Sequence, residues 1–214
     1  MRENVLKTNS IFQKYFLSQQ ILPILTINKI HSCKYLIDVF LENDIKIFEI
    51  TLRTEVALEA INIMAKNKNF IVGAGTLINE QNVRSALDVG AKFGVSPGIS
   101  ENLFDECEIN SFPLIPGVSS PSEIMVSYNR GYKILKFFPS ELLGGVKIIK
   151  ALQGPFPDCS FFPTGGINQV NVDNYLSLSN VCGVAGSWIV PKNLIDQKNW
   201  KKINEIIKKS SLKK

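Results

Sequence analysis

Histidine is almost missing from this chain: His31 is the only one in 214 residues. It opens a helical pattern far from any other unusual residue, which fits a surface or capping position. Ser-His-Asp and Cys-His nucleophile chemistry and His-rich zinc sites are thereby set aside. Any proton transfer falls to a carboxylate, a lysine or a tyrosine. Cysteine is scarce as well. Cys33, Cys107, Cys159 and Cys182 form no CxxC pair and match no metal or disulfide spacing, so reduced, mostly buried thiols are expected. No apolar run approaches the ~20 residues of a membrane span, and no membrane association is expected. Residues 1–20 hold Arg2, Lys7 and Lys14 but no continuous hydrophobic stretch or small-residue cleavage site. A secretory signal is not expected, and the cytoplasm is the expected compartment.

What is present is an ordinary globular composition, 45% hydrophobic and 20% charged, of a length that fits one larger domain over residues 1–214. The formal charge of +5 is concentrated at one end. Between Lys198 and Lys214 seven lysines face one acid, Glu205, so this segment carries +6 and the rest −1. A basic body for nucleic acid is not indicated. Trp200, Ile203, Ile206 and Ile207 follow helical spacing, which predicts an amphipathic helix with a solvated lysine face over 198–209 and a short basic tail to 214.

Apolar segments recur with a regular step. Strands are expected at Ile21–Ile27, Ile45–Leu52, Phe70–Gly75, Phe93–Ser96, Pro113–Gly117, Ile134–Phe138, Phe161–Thr164 and Val181–Ala185. Helical patterns separate them: Ile30–Glu42, Glu55–Asn67, Asn79–Asp88, Glu101–Ile109, Pro121–Tyr128, Gly145–Leu152 and Val170–Leu178, with Lys198–Lys209 last. Ile11–Gln19 predicts an extra helix within an N-terminal extension over 1–20. Eight alternations predict an α/β fold of parallel units, a lean (β/α)8 TIM barrel. An open doubly wound sheet is disfavoured because no GxGxxG opens the first unit. Pro23 sits awkwardly inside the first strand.

Lys136 stands out in Tyr132-Lys133-Ile134-Leu135-Lys136-Phe137-Phe138-Pro139. Strand alternation puts Ile134, Lys136 and Phe138 on one face and Leu135 and Phe137 on the other. An ammonium on an apolar face costs several kcal/mol unless it is paired or loses its proton. A desolvated lysine is the usual amine nucleophile of Schiff-base chemistry; the alternative is a lysine snorkelling to solvent. On the second strand Ile47, Glu49, Thr51 and Arg53 share one face, toward the barrel interior. Strands two and six have the same parity, so Glu49 and Lys136 are placed to meet. A buried salt bridge alone explains the pair poorly, since desolvation offsets attraction.

Two glycine turns, Pro163-Thr164-Gly165-Gly166 and Ala185-Gly186-Ser187, follow strands seven and eight, where barrels build phosphate sites. Gly73-Ala74-Gly75-Thr76 and Ser96-Pro97-Gly98 close strands three and four with small residues that leave room for a ligand. Thr76 suits either a carboxylate donor or a helix N-cap, and Arg53 suits a bidentate carboxylate clamp. Trp188 reads as packing.

Taken in order, Glu49-Ile50-Thr51-Leu52-Arg53-Thr54, Val72-Gly73-Ala74-Gly75-Thr76, Ser96-Pro97-Gly98, Pro113-Leu114-Ile115-Pro116-Gly117, Lys136-Phe137-Phe138-Pro139, Pro163-Thr164-Gly165-Gly166-Ile167 and Gly186-Ser187-Trp188 resemble the bacterial 2-keto-3-deoxy-6-phosphogluconate (KDPG) and 4-hydroxy-2-oxoglutarate (KHG) aldolases. The likeness runs from about Ile21 to Pro191. It implies a class I aldolase on a (β/α)8 barrel, a homotrimer acting on a phosphorylated keto acid without metal or other cofactor. It makes Lys136 the Schiff-base lysine and Glu49 the general acid/base. Arg53, Thr76 and Thr164 would hold the substrate carboxylate, with Pro97 and Phe138 shaping that pocket. Gly165, Gly166, Gly186 and Ser187 would hold the phosphate. Ser140 and Leu143 depart from the Ala and Asn of close relatives, and a serine after Phe138-Pro139 also resembles the enzymes that cleave the galactonate epimer.

Two other readings stay beside this one. A barrel isomerase or synthase would use Glu49 and the glycine turns with Lys136 as a charge stabiliser, and would form no imine. A non-catalytic phosphometabolite binder would have little use for an amine beside a carboxylate. Lys133 and Lys147 are rival nucleophiles, expected at the surface.

Overall fold

The regular apolar step builds an alternating β/α chain. The structure, a computed structural model, describes residues 19–210. Its strands are β1 Ile21–Leu25, β2 Ile47–Thr51, β3 Ile71–Gly75, β4 Phe93–Val95, β5 Leu114–Ile115, β6 Gly117–Val118, β7 Ile134–Phe137, β8 Ser160–Pro163 and β9 Val184–Gly186. Its helices are α1 Ser32–Glu42, α2 Ala57–Ala65, α3 Glu80–Asp88, α4 Glu101–Ile109, α5 Pro121–Asn129, α6 Gly145–Leu152, α7 Val172–Leu176, α8 Lys192–Asp196 and α9 Trp200–Lys209. The helix expected over Ile11–Gln19 falls, apart from Gln19, outside the described residues.

All strand pairings are parallel. One sheet has the order β5-β4-β3-β2-β1-β9 and the other β6-β7-β8. β5 and β6 are the two halves of the fifth expected strand, parted at Pro116, which has no N–H to continue a ladder. At the other seam, isolated parallel bridges join Phe161 to Val181 and Thr164 to Ala185. Three departures from expectation concern short elements. The helix after β8 shrinks to Val172–Leu176, and a 3-10 turn at Glu141–Leu143 and the five-residue α8 were not foreseen.

Both faces of the strands are buried, as parallel strands require. Outward residues such as Phe48, Ile50, Leu135, Phe137 and Phe161 join the large cluster under the helices. Inward residues Leu22, Ile47, Phe93, Val95, Ile115, Phe162 and Ala185 form a second cluster between the strands. Gly73 has no room for a side chain because the Phe93 ring fills its place, 2.2 Å from where a Cβ would stand.

Pro23 lies mid-strand, not near the strand start. It faces Gly186, and the β1–β2 register begins only after it, at Ile24↔Glu49. In that register an N–H at position 23 would have met the Ile47 carbonyl. Gln19 supplies the donor instead, with Nε2 2.6 Å from Ile47 O and 3.0 Å from Ile21 O, while Oε1 accepts from Lys46 N at 3.1 Å. The buried amide thus replaces the hydrogen bond that proline removes.

Helix ends follow their sequence signals. Asn79, Ser100 and Ser120 cap α3, α4 and α5 through their side chains, and Ser120 with Glu123 forms a capping box. His31 occupies the N-cap position of α1, exposed and without a side-chain cap bond. The lysine-rich helix α9 buries Ile203 and Ile207 and keeps its lysines outside. Three of the four free thiols, Cys33, Cys107 and Cys159, are buried.

Candidate active site

Above the inner apolar cluster the interior turns polar at the C-terminal ends of the strands. Glu49 and Thr51 on β2, Ser96 after β4, Lys136 on β7 and Thr164 after β8 are all buried. The period of two explains most of this: Glu49, Lys136 and Thr164 follow the inward apolar residues Ile47, Ile134 and Phe162 by two positions, and Thr51 follows Glu49 by two. Thr51 serves structure, donating to Leu25 O at 3.1 Å and lying 3.0 Å from Thr26 Oγ1. Ser96 accepts from Gly117 N at 3.2 Å, tying the end of β4 to β6.

Lys136 is 5% exposed, and its register partners are Gly117 and Phe162. Nζ stands 5.1 Å from the centroid of the Phe138 ring. Among the described residues no carboxylate comes within the 4.0 Å of a salt bridge to it. Burial lowers the Lys136 pKa below its ordinary value; Glu49 pulls it back up, and the Arg53 charge lowers it further. Glu49 is 1% exposed, and its Oε2 has no hydrogen-bond donor among the described residues. Burial raises its carboxyl above the ordinary range, with Lys136 and then Arg53 opposing. Both groups are thus pushed toward their uncharged forms by desolvation. An amine and an acid that share a dry site and exchange a proton cheaply can do Schiff-base and acid–base chemistry.

Glycine makes room for this pair. A Cβ on Gly75 would stand 1.8 Å from Glu49 Oε1, so the carboxylate leans over β3 where only a glycine lies. Arg53 and Thr76 come together, with Arg53 Nε donating to Thr76 Oγ1 at 3.1 Å. Thr76 adopts φ +64° and is not an N-cap; Asn79 caps α3. Pro97 is half-buried, its carbonyl against Gly117.

Phe138 links the amine to the first glycine turn. Lys136 Nζ lies over its ring, and a Cβ on Gly165 would stand 3.2 Å from its Cδ2. Gly165 and Gly166 have φ of +94° and +81°, a turn that glycine alone adopts without strain. Thr164 donates to Phe162 O at 3.3 Å and bridges to Ala185, bringing the two glycine turns side by side. Ser187 is exposed beyond Gly186, and the Trp188 ring packs over Gly186, as its reading as packing required. Lys133 is at the surface, 3.4 Å from Asp158, and Lys147 is exposed on α6. Sequence reasoning missed Tyr175, a fully buried phenol behind the first glycine turn. Its only signal was a tyrosine at a core-facing helical position.

The family model for KDPG and KHG aldolase matches residues 13–206. A 2-dehydro-3-deoxy-phosphogluconate aldolase of Pseudoalteromonas atlantica is 40% identical, over 92% of this chain and 93% of that protein. The KHG/KDPG aldolase of Escherichia coli is 37% identical, over 89% and 90%. The crystal structure of the KDPG aldolase from Legionella pneumophila, with pyruvate captured as a covalent carbinolamine intermediate, superposes with a TM-score of 0.89 at 36% identity, covering 94% of this chain and 97% of that one. With this match across nearly its whole length, the chain belongs to the KDPG and KHG aldolase family of carbon–carbon lyases.

Proposed function

We propose that this chain is a class I aldolase that cleaves 2-keto-3-deoxy-6-phosphogluconate to pyruvate and glyceraldehyde 3-phosphate, and 4-hydroxy-2-oxoglutarate to pyruvate and glyoxylate. The observation that carries this reading is the Lys136 amine, buried with a lowered pKa and electrostatically coupled to a buried Glu49 carboxyl whose pKa is raised.

Neutral Lys136 attacks the C2 ketone, and the carbinolamine loses water to give an iminium. The C3–C4 bond then breaks. Its electron pair flows into the iminium to give an enamine, the C4 hydroxyl proton passes to Glu49, and the aldehyde departs. Glu49 returns a proton to C3, and water hydrolyses the imine to pyruvate and free amine. Arg53, Thr76 and Thr164 hold the carboxylate beside Pro97 and Phe138, and Gly165, Gly166, Gly186 and Ser187 hold the phosphate. No metal enters these steps.

Trapping with pyruvate and borohydride followed by peptide mapping tests the assignment. The expected mass increment is on Lys136. An increment on Lys133 or Lys147 refutes it, and no increment at all favours the non-covalent isomerase. The galactonate epimer was raised by Ser140, whose buried hydroxyl donates to Tyr175; this supports the gluconate acid, and pyruvate release from both epimers decides it. The finer architecture belongs to the same proposal: a closed (β/α)8 barrel, supported by the two bridges at the β8–β9 seam, with an extra N-terminal helix, assembled as a homotrimer and located in the cytoplasm. An experimental structure, light scattering and cell fractionation check these in turn.

A further inference from the structure

Behind the first glycine turn lies a polar cluster that the aldol chemistry does not use. Tyr175, on α7, is fully buried, yet its hydroxyl is engaged twice. It donates to Glu141 Oε1 and accepts from Ser140 Oγ at 3.2 Å. Ser140 and Glu141 lead the turn after β7, the strand that carries Lys136. Their backbone N–H groups reach the neighbouring turn, Ser140 to Thr164 O at 2.8 Å and Glu141 to Gly165 O at 3.1 Å. The Glu141 side chain lies against Gly166, where a Cβ would stand 2.5 Å from Glu141 Cβ and Cγ. Asn168 and Asn171 hold the Gly166 carbonyl through their side-chain amides at 3.2 and 3.1 Å.

We propose that Tyr175 is a positioning residue for the phosphate-bearing half of the substrate: through Glu141 it sets the Gly165–Gly166 turn at a fixed offset from Lys136. The proposal rests on the reading of the chain as an aldolase of a phosphorylated keto acid. A phenylalanine would fill the same space without the desolvation cost of a hydroxyl, so packing alone does not call for the phenol. The hydroxyl sits at the junction of the amine-bearing strand and the glycine turn, bonded to the two residues that connect them. Burial and then the Glu141 carboxylate push the phenol up to about 12, against the pull of Ser140, so it remains a donor through neutral pH.

The test is Tyr175→Phe, assayed on the phosphorylated acid and on 4-hydroxy-2-oxoglutarate, which has no phosphate. KM for the phosphorylated acid should rise about five- to ten-fold, the loss of one hydrogen bond, while kcat/KM on the unphosphorylated acid and the rate of borohydride trapping stay within about twofold. Ser140→Ala keeps the Tyr175–Glu141 bond and should have a smaller effect; Glu141→Gln keeps an acceptor and should fall between. Equal losses on both substrates, or a lowered melting temperature with unchanged kinetics, would overturn the proposal. The wild-type enzyme separates the two levels. If it traps no pyruvate on Lys136, the aldolase reading falls and this proposal with it; if it traps pyruvate but does not prefer the phosphorylated acid, the reading of a phosphorylated substrate falls, and this proposal with it. If it does both while Tyr175→Phe behaves as wild type, only the positioning role falls.

Discussion

A lysine amine attacks a ketone only when it is uncharged, and Lys136 is held toward that state by its surroundings. Burial leads, Glu49 opposes and Arg53 assists. The rate of imine formation with saturating pyruvate should therefore rise with pH and level off below the ordinary lysine value of 10.5. Removing the Arg53 charge raises the Lys136 pKa, so Arg53→Leu should move the rising limb to higher pH in single-turnover trapping. A limb that stays put or moves down would contradict the electrostatics.

The same two residues cost stability. Lys136, with its pKa lowered, destabilises the fold below 10.5, and that cost fades as pH rises toward 10.5. Glu49, with its pKa raised, destabilises it above 4.5, and that cost fades as pH falls toward 4.5. Replacing both by apolar residues of similar length, Glu49→Met with Lys136→Met, should abolish turnover and raise the unfolding free energy by about 1–4 kcal/mol. Denaturant melts should find the gain largest between those two pH values. This much was legible in the chain, because a charge in an apolar alternation is conspicuous. The fate of Thr76 was not, since a threonine after a strand suits a cap and a ligand equally, and only Asn79 taking the cap separates them.

Strands are placed by neighbours as much as by their own residues, and β3 is the clearest case. Gly75 lies under Glu49, and the register sets Thr51 opposite Gly75. Gly75→Ala should displace the Glu49 carboxylate without touching Lys136. Turnover should fall on the order of 10²–10⁴, the usual worth of positioned proton transfer, while a pyruvate adduct on Lys136 remains detectable by mass. A variant with near-normal kcat would show that the carboxylate has another place to go. The eight strand segments and most helices followed from apolar periodicity, which measures burial directly. The Glu141–Leu143 turn and α8 did not, because three to five residues span barely a period. The break at Pro116 and the Gln19 substitution at Pro23 depend on ladder register, which is a tertiary property.

At the scale of the whole molecule, α9 returns the chain to its beginning. Trp200 stacks on Tyr35 of α1 with ring centroids 5.1 Å apart, and Asn204 and Lys208 reach Glu42 at 3.1 and 2.7 Å. Ile203 is fully buried beneath them. Ile203→Ala should lower stability by about 2–5 kcal/mol, read as an earlier thermal transition, and leave the pH profile of imine formation unchanged. Four of the seven lysines of that basic segment, Lys201, Lys202, Lys208 and Lys209, thus decorate a helix whose other face is core.

Glu49 belongs to the six-stranded sheet and Lys136 to the three-stranded one. The proposed proton donor and the proposed nucleophile are therefore mounted on separate plates, and the bridges Phe161–Val181 and Thr164–Ala185 help hold those plates together. A shift of about 1 Å along that join would slow the enzyme on the order of 10²-fold while leaving every helix intact, so on gentle warming catalysis should fail before ellipticity does.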